Sequence, residues 1–263
     1  MLDSDDLITK TALEELYPVA KKFDADVVHC EKFYKIRQNN SSRETVGLNA
    51  GKYVTEPTLI SDNFEERVMG LYKVQFVWNI WSKLIRRDFI IENELKMISG
   101  MAQDTLFTCC LVCSAPRYVR VPNIINFYRV VDNSHSHKQD DEPKKFQKWL
   151  NALIDGFIYF EKFLSEREFF QKRPDMKYLA LEIWVRECCN YLQKIYAKYP
   201  SWQFDPLIRH ELESVKDKIP LMSFIFSRMN VFNLNLYQMN AHIQKQNQVI
   251  QQLQAQIKSL QAK

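Results

Sequence analysis

Apolar positions in the first half of the chain recur with two different periods. Ala12, Leu16 and Ala20 recur at helical spacing, which predicts a helix over residues 9–23. The segment Asp26 to His29 then predicts a short buried strand. The same patterns predict helices over 64–71 and 103–114, a helical turn from 87, and strands or extended segments over 79–85, 118–121 and 124–131. Ser61 is the predicted cap of the helix over 64–71, because its hydroxyl can accept from the free amides of the first turn. Elements that alternate in this way are typical of a layered α/β domain.

The second half of the chain has helical periods only. They begin after the polar segment 132–143, with Trp149, Leu153 and Phe157 as the first members. The sequence therefore predicts an α/β fold followed by an all-α helical tail. We place the domains at residues 1–140, 141–230 and 231–263. By contrast, residues 38–52 have no apolar period and predict a surface loop or an irregular hairpin.

The last predicted domain has the pattern of a short coiled coil. Apolar residues alternate three and four positions apart along it, with Gln246 as the polar member: Leu236, Met239, Ile243, Gln246, Ile250, Leu253, Ile257 and Leu260. Isoleucine at a positions with leucine at d positions favours two parallel strands. This pattern predicts a homodimer through residues 236–260. The alternative is a single amphipathic helix that packs on its own domain.

Composition excludes several classes of protein. The 263 residues are 46% hydrophobic and 26% charged, which is typical of globular domains. The net charge is only +4 and no lysine or arginine stripe contains aromatic residues, so nothing indicates binding to nucleic acid. The six cysteines lie mostly in apolar helical contexts and predict reduced core residues.

The sequence shows neither a membrane span nor a secretory leader. It has no run of eighteen apolar residues, and its first residues are acidic. Together with reduced cysteines, this predicts a cytoplasmic protein. Peripheral association with the inner face of the membrane remains an alternative.

Three carboxylates lie within four positions at the start of the chain. Asp3, Asp5 and Asp6 precede a predicted helix. Oxygen ligands of this kind suit Mg²⁺ or Mn²⁺, which commonly bridge one or two carboxylates to substrate phosphates. Taken alone, such a cluster is more often a solvated terminus or a helix-capping segment.

Read together with later segments, this acidic cluster resembles part of a known enzyme family. The segments are Asp3-Ser4-Asp5-Asp6, residues 25–28, Asn79 to Ile90, Gln103 to Phe107, residues 115–121 and Asn126 to Ser136. Their succession is similar to that of family-two glycosyltransferases, which have the GT-A fold. Each segment is weak evidence alone, but their order is specific, and they cover residues 1 to about 137.

The resemblance implies roles for the acidic residues. Asp3 and Asp5 would form the DxD motif at the donor diphosphate, and Asp5 and Asp6 would bind Mn²⁺ or Mg²⁺. Asp104 matches the general base that acts on the acceptor hydroxyl, with inversion at the anomeric carbon. Gln103 stands where the family often has a glutamate. This difference puts in doubt how the pKa of Asp104 is set. Without the resemblance, Asp104 would be interpreted as a carboxylate at a helix N-terminus.

The resemblance also implies residues that contact the donor and the acceptor. Arg129, Ser134 and His135 match the segment that closes over the donor phosphates, although histidines in a polar loop are more often solvated. Trp81 would form an apolar wall for the acceptor sugar, with a core role as the alternative. Lys83, in the same predicted segment as Trp81, would be a surface charge or an electrostatic aid to the diphosphate.

The family places a nucleotide-binding βαβ half before the DxD motif, and the sequence shows no later substitute for it. We therefore expect a partial GT-A domain, without its N-terminal nucleotide-binding half and inactive in isolation. The expected function is transfer of a sugar from a nucleotide-activated donor to a glycan acceptor. Bacterial surface-polysaccharide assembly is the expected setting. The alternative is a non-catalytic interaction module on a vestigial glycosyltransferase platform.

Overall fold

A computed structural model gives the fold of the chain. It describes residues 3–4, 6–37, 43–47, 53–73, 75–76, 78–98, 100–130, 142–196, 198, 206, 210 and 220–261. The chain divides into two compact units. The first contains residues 1–140 and 151–188, and the second contains residues 141–150 and 189–263. The domain boundaries drawn from the sequence stay predictions.

Eight strands and eight helices lie in the described residues. The strands are β1 (Leu7–Ile8), β2 (Val27–Cys30), β3 (Lys32–Arg37), β4 (Arg43–Gly47), β5 (Thr58–Leu59), β6 (Lys83–Ile85), β7 (Tyr118–Val121) and β8 (Asn126–Val130). The helices are α1 (Ala12–Phe23), α2 (Phe64–Tyr72), α3 (Arg87–Glu92), α4 (Gln103–Ser114), α5 (Glu142–Ser165), α6 (Glu168–Lys172), α7 (Pro174–Tyr196) and α8 (Pro220–Gln261). This order confirms an α/β region followed by a helical C-terminal region.

The central sheet of the first unit has the strand order β5-β7-β2-β6. It is mixed, because β2 runs parallel to β7 and antiparallel to β6. All four residues of β2 are buried, which is typical of a strand covered on both faces. On one face, Val28 and Cys30 form an apolar cluster with Ala12 and Leu16 of α1. That face is the apolar core, and the polar residues of β2 and β7 lie on the other.

The second sheet has the order β1-β8-β3-β4 and brings the start of the chain to the candidate site. β1 pairs antiparallel with β8, with Leu7 opposite Phe127 and Ile8 opposite Asn126. β3 and β4 pair antiparallel, so the described part of residues 38–52 is a strand whose partner precedes that segment. Neither β1 nor β3 was expected from the sequence.

Two local expectations need correction. Asn63, rather than Ser61, caps α2, because its side-chain oxygen accepts from the Glu65 amide at 2.9 Å. Ser61 lies two residues too early, and its hydroxyl accepts from the Asn63 amide at 3.2 Å instead. The segment expected to be extended over 79–85 begins as a 3₁₀ turn, Ile80–Ser82, before β6. This turn shapes the candidate site.

Within the first unit, α7 packs closely on α5. The indole nitrogen of Trp184 donates to the Leu153 carbonyl at 3.1 Å. A Cβ added at Gly156 would lie 2.3 Å from the Trp184 ring, so only glycine fits at this crossing. Within the second unit, the rings of Trp149 and Tyr191 stack with centroids 4.1 Å apart. The coiled coil predicted over residues 231–263 lies in α8 and stays a prediction.

Candidate functional site

Pairing of β1 with β8 in the second sheet holds the acidic segment in place. β1 lies beside β8, and the Arg129 amide donates to Asp6 Oδ1 at 2.9 Å. The Asp6 amide in turn donates to the Asp3 carbonyl at 3.1 Å. Asp6 is only 5% exposed, so it is not a solvated terminal residue. Asp5 lies outside the described residues. The structure therefore brings Asp3, Asp6 and Arg129 together.

Asp104 lies in the first turn of α4, as the sequence predicted. Its Oδ2 accepts from the Ile80 amide of the 3₁₀ turn at 3.5 Å. The pKa of the Asp104 carboxyl is raised, first because burial disfavours the charged form and also because of the negative charge of Asp3. The Ile80 amide and the charge of Lys83 oppose this rise. The charge of Asp3, from a separate motif, thus reaches Asp104.

Lys83 is a buried cation beside Asp104. Its side chain begins on β6 and is 6% exposed, so the expectation of a surface charge is wrong for this residue. Its Nζ donates to the Asn79 carbonyl oxygen at 2.7 Å. Burial lowers the pKa of Lys83 to about 7, against the opposing negative charge of Asp104. A buried lysine of this kind is typical of functional sites.

A row of polar residues crosses the central sheet next to Lys83. His29 of β2 lies opposite Lys83 of β6 and opposite Arg120 of β7. Its Nδ1 lies 3.1 Å from the Tyr118 hydroxyl, and its Nε2 has no hydrogen-bond partner among the described residues. Burial, followed by the charges of Lys83 and Arg120, holds the pKa of His29 well below its usual range. His29 is therefore a neutral imidazole.

The remaining predicted site residues are only partly described. Trp81 is 8% exposed and lies among aromatic rings, edge-on to Phe33 at 4.9 Å and stacked on Tyr128 at 6.2 Å between centroids. Its role as an acceptor wall stays a prediction. Ser134 and His135 lie outside the described residues.

The donor set of the acidic segment suits a hard divalent cation. Asp3 and Asp6 offer carboxylate oxygens, and Mg²⁺ is commonly held by one or two carboxylates together with water and substrate phosphate. Among the described residues, which exclude Asp5, no group of three or more acidic, histidine or cysteine side chains could hold a metal ion.

Three buried polar residues of the site were not expected to be buried there. Lys83 and His29 lie on strands, and Asn126 donates from Nδ2 to the Trp81 carbonyl at 2.8 Å. A sequence signal existed for two of them. A lysine between Trp81 and Leu84, and a histidine between Val28 and Cys30, interrupt apolar runs and could have indicated buried polar groups.

The cysteines and the helices add two findings. All six cysteines are free thiols, and five of them are buried. No helix in the part of the chain that the structure describes is long and apolar enough to cross a membrane.

Two curated proteins are similar in sequence. The uncharacterized glycosyltransferase YibD of Escherichia coli strain K12 is 25% identical over 193 residues, which are 69% of this chain and 53% of that protein. The cholesterol galactosyltransferase of Borreliella burgdorferi is 30% identical over 142 residues, 51% of this chain and 38% of that protein. The chain thus spans about half the length, or less, of these relatives. No protein-family model matches it.

Two solved structures of Staphylococcus aureus TarS, residues 1–349, cover 92% of this chain. One has a TM-score of 0.49 at 11% identity and is covered to 65% of its own length. The other, in complex with UDP-GlcNAc, has a TM-score of 0.45 at 12% identity and is covered to 66%. The sequence similarity to the two curated proteins makes the chain a distant homologue of glycosyltransferases.

Proposed function

We propose that the chain is the acceptor-side part of an inverting, metal-dependent glycosyltransferase of family two, with a GT-A fold. It would transfer a sugar from a nucleotide-activated donor to a hydroxyl of a glycan acceptor. The observation that carries this proposal is the convergence of the acidic segment and Asp104. Asp3 raises the pKa of Asp104 through its charge, although the two residues lie in motifs far apart in sequence. Distant similarity to two glycosyltransferases supports the same function.

Each carboxylate has a different part in the proposed reaction. Asp104 would accept the proton of the acceptor hydroxyl as its oxygen attacks the anomeric carbon. The bond from that carbon to the diphosphate oxygen breaks at the same time, and its electron pair leaves with the nucleoside diphosphate. A raised pKa suits Asp104 to this role, because a general base is most efficient with a pKa near the working pH.

The acidic segment would hold the leaving group. Asp5 and Asp6 would bind Mn²⁺ or Mg²⁺, which would neutralise charge on a departing diphosphate, and Asp3 would lie with Asp5 at the donor diphosphate. The Arg129 amide orients the Asp6 carboxylate by its hydrogen bond. We propose that the Arg129 side chain, Ser134 and His135 contact the donor phosphates, and that Trp81 contacts the acceptor sugar.

Donor binding and transfer test this function. The chain, in its native gene product, would be titrated by calorimetry with nucleoside diphosphates in the presence and absence of Mn²⁺. A panel of nucleotide sugars, including a galactosyl donor because one relative is a galactosyltransferase, would then be assayed for diphosphate release. Metal-dependent binding and release support the proposal. The absence of both from every member of the panel would contradict it.

The second candidate function is a non-catalytic interaction module. The observation that favours it is an apolar stripe on α8, where Met239, Ile243, Ile250, Leu253 and Ile257 are each about half exposed or more. Self-association through this stripe is also compatible with an enzyme. The donor titration separates the two, because a vestigial site would not bind a nucleoside diphosphate with Mn²⁺. Reduced buried cysteines favour a cytoplasmic location in either case.

A further inference from the structure

Lys83 and Asp104 hold the two polar ends of one peptide group. Lys83 Nζ donates to the Asn79 carbonyl oxygen at 2.7 Å, and the Ile80 amide donates to Asp104 Oδ2 at 3.5 Å. That carbonyl and that amide belong to the single planar peptide bond between Asn79 and Ile80. We propose that Lys83 is a positioning residue that keeps the Asp104 carboxyl ionised and oriented, through its charge and through this shared peptide group. The proposal rests on the proposed role of Asp104 as the base.

The dipole of the shared peptide group stabilises both the positive charge of Lys83 and the negative charge of Asp104. A peptide group is a dipole with its positive end at the amide and its negative end at the carbonyl oxygen. The protonated amine of Lys83 lies at the negative end, and the carboxylate of Asp104 lies at the positive end. Hydrogen bonds in such a chain polarise one another, so each charged group strengthens the bond made by the other. Loss of the charge on Lys83 therefore weakens the orientation of Asp104.

The burial of Lys83 supports a functional reason for the lysine. Its side chain is 6% exposed on a strand whose other residues are Leu84 and Ile85. A buried cation loses hydration, and an apolar residue of similar volume is often neutral or stabilising at such a position. The lysine is therefore a poor choice for stability alone. Its positive charge acts on the buried carboxyl of Asp104, the candidate base.

The surrounding charges determine the sign of the effect. On Asp104, burial and the negative charge of Asp3 favour the neutral acid, whereas Lys83 favours the carboxylate. Lys83 itself faces the Asp104 carboxylate and the Cys30 thiol, and it lies beside His29 in a row that ends at Arg120. With a pKa of about 7, Lys83 is protonated at the acidic pH values where a carboxyl group titrates. Removing its charge should therefore raise the pKa of Asp104.

The direct test is the titration of Asp104 in three variants. The ¹³C resonance of the Asp104 carboxyl would be followed by NMR in wild type, Lys83→Met, Lys83→Gln and Lys73→Met. Lys83→Gln keeps a donor for the Asn79 carbonyl without the charge, and Lys73 is an exposed lysine ten positions earlier. We expect the Asp104 midpoint to move upward in both Lys83 variants and to stay unchanged in Lys73→Met. An unmoved midpoint in a folded Lys83→Gln variant overturns the proposal.

Turnover gives a second readout of the same link. The acidic limb of the kcat/KM profile should move to higher pH in Lys83→Gln, with kcat lowered by about tenfold or more at neutral pH. Lys83→Arg, which restores a charge, should recover part of this loss. A loss in kcat that is equal at every pH would contradict the claim that the charge of Lys83 keeps Asp104 ionised. If the midpoint moves but wild type releases no diphosphate from any donor, the electrostatic link stands and the proposed function fails.

Discussion

Asp3 and Asp104 approach each other closely enough for the charge of Asp3 to raise the pKa of the Asp104 carboxyl. Asp3 precedes β1, and Asp104 lies in the first turn of α4, so segments from different parts of the fold form this site. Burial is the larger cause of the raised pKa. The pair therefore joins the acidic segment at the start of the chain to a carboxyl whose pKa is raised.

The first prediction concerns Asp104. In the native gene product, Asp104→Asn should lower kcat by about 10²-fold or more, while donor affinity changes little, because a base acts only as the acceptor proton moves. Single-turnover kinetics and calorimetric titration with the donor would measure both. Asp88→Asn is the matched control, since Asp88 is an exposed carboxylate in the first turn of α3. A change confined to donor affinity would indicate a structural role for Asp104.

The second prediction concerns the acidic segment. Asp6→Asn should abolish Mn²⁺-dependent transfer and leave the fold intact, because asparagine keeps the oxygen that accepts from the Arg129 amide but loses the charge. Asp5→Asn should have the same effect on transfer. Asp24→Asn serves as control, since Asp24 is exposed and asparagine tolerates its left-handed backbone, with φ at 48°. Transfer at the wild-type rate in both test variants would remove the metal assignment.

The sequence predicted the regular elements better than the site. Helix α4 and strand β7 begin and end as the apolar pattern indicated, because most residues of each are buried. β1 could not be predicted, since its two residues are exposed and it exists through pairing with β8. The burial of Lys83 depends likewise on neighbours distant in sequence. A single sequence does not show which elements cover a side chain.

The third prediction concerns His29 and pH. Its pKa is well below the usual value in the folded protein, so the unfolded chain binds a proton near pH 6.5 that the folded chain does not. The contribution of His29 to stability is therefore present above pH 6.5 and is lost as the pH falls, at up to about 1.4 kcal/mol per pH unit. Urea unfolding between pH 8 and pH 5 should show that the free energy of unfolding falls less in His29→Gln than in wild type.

A matched control accompanies this measurement. His242→Gln makes the same exchange at an exposed histidine on α8 and shows what the substitution itself does to the unfolding curve. If the free energy of unfolding fell equally in wild type and in His29→Gln between pH 8 and pH 5, the His29 imidazole would not be buried in its neutral form. The row formed with Lys83 and Arg120 would then need a different interpretation.

The last prediction concerns the apolar stripe on α8. Ile250 and Leu253 occupy a and d positions of the heptad pattern and are each about half exposed. Burial of these side chains against a second copy would remove apolar surface from water, so we expect the chain to dimerise. The e and g positions carry no lysine, arginine, aspartate or glutamate, so the dimer should be weak and little affected by salt.

Substitutions on two faces of α8 test this dimer without shortening the chain. Ile250→Lys with Leu253→Lys places charges in the apolar stripe and should give a monomer in analytical ultracentrifugation. Gln251→Lys with Ala255→Lys adds the same charge at b and f positions, outside the stripe, and should leave the dimer intact. Deleting residues 236–263 should also give a monomer whose α/β region stays folded. If all of these chains sediment as the same species as wild type, the stripe does not join two copies and the parallel coiled coil is excluded.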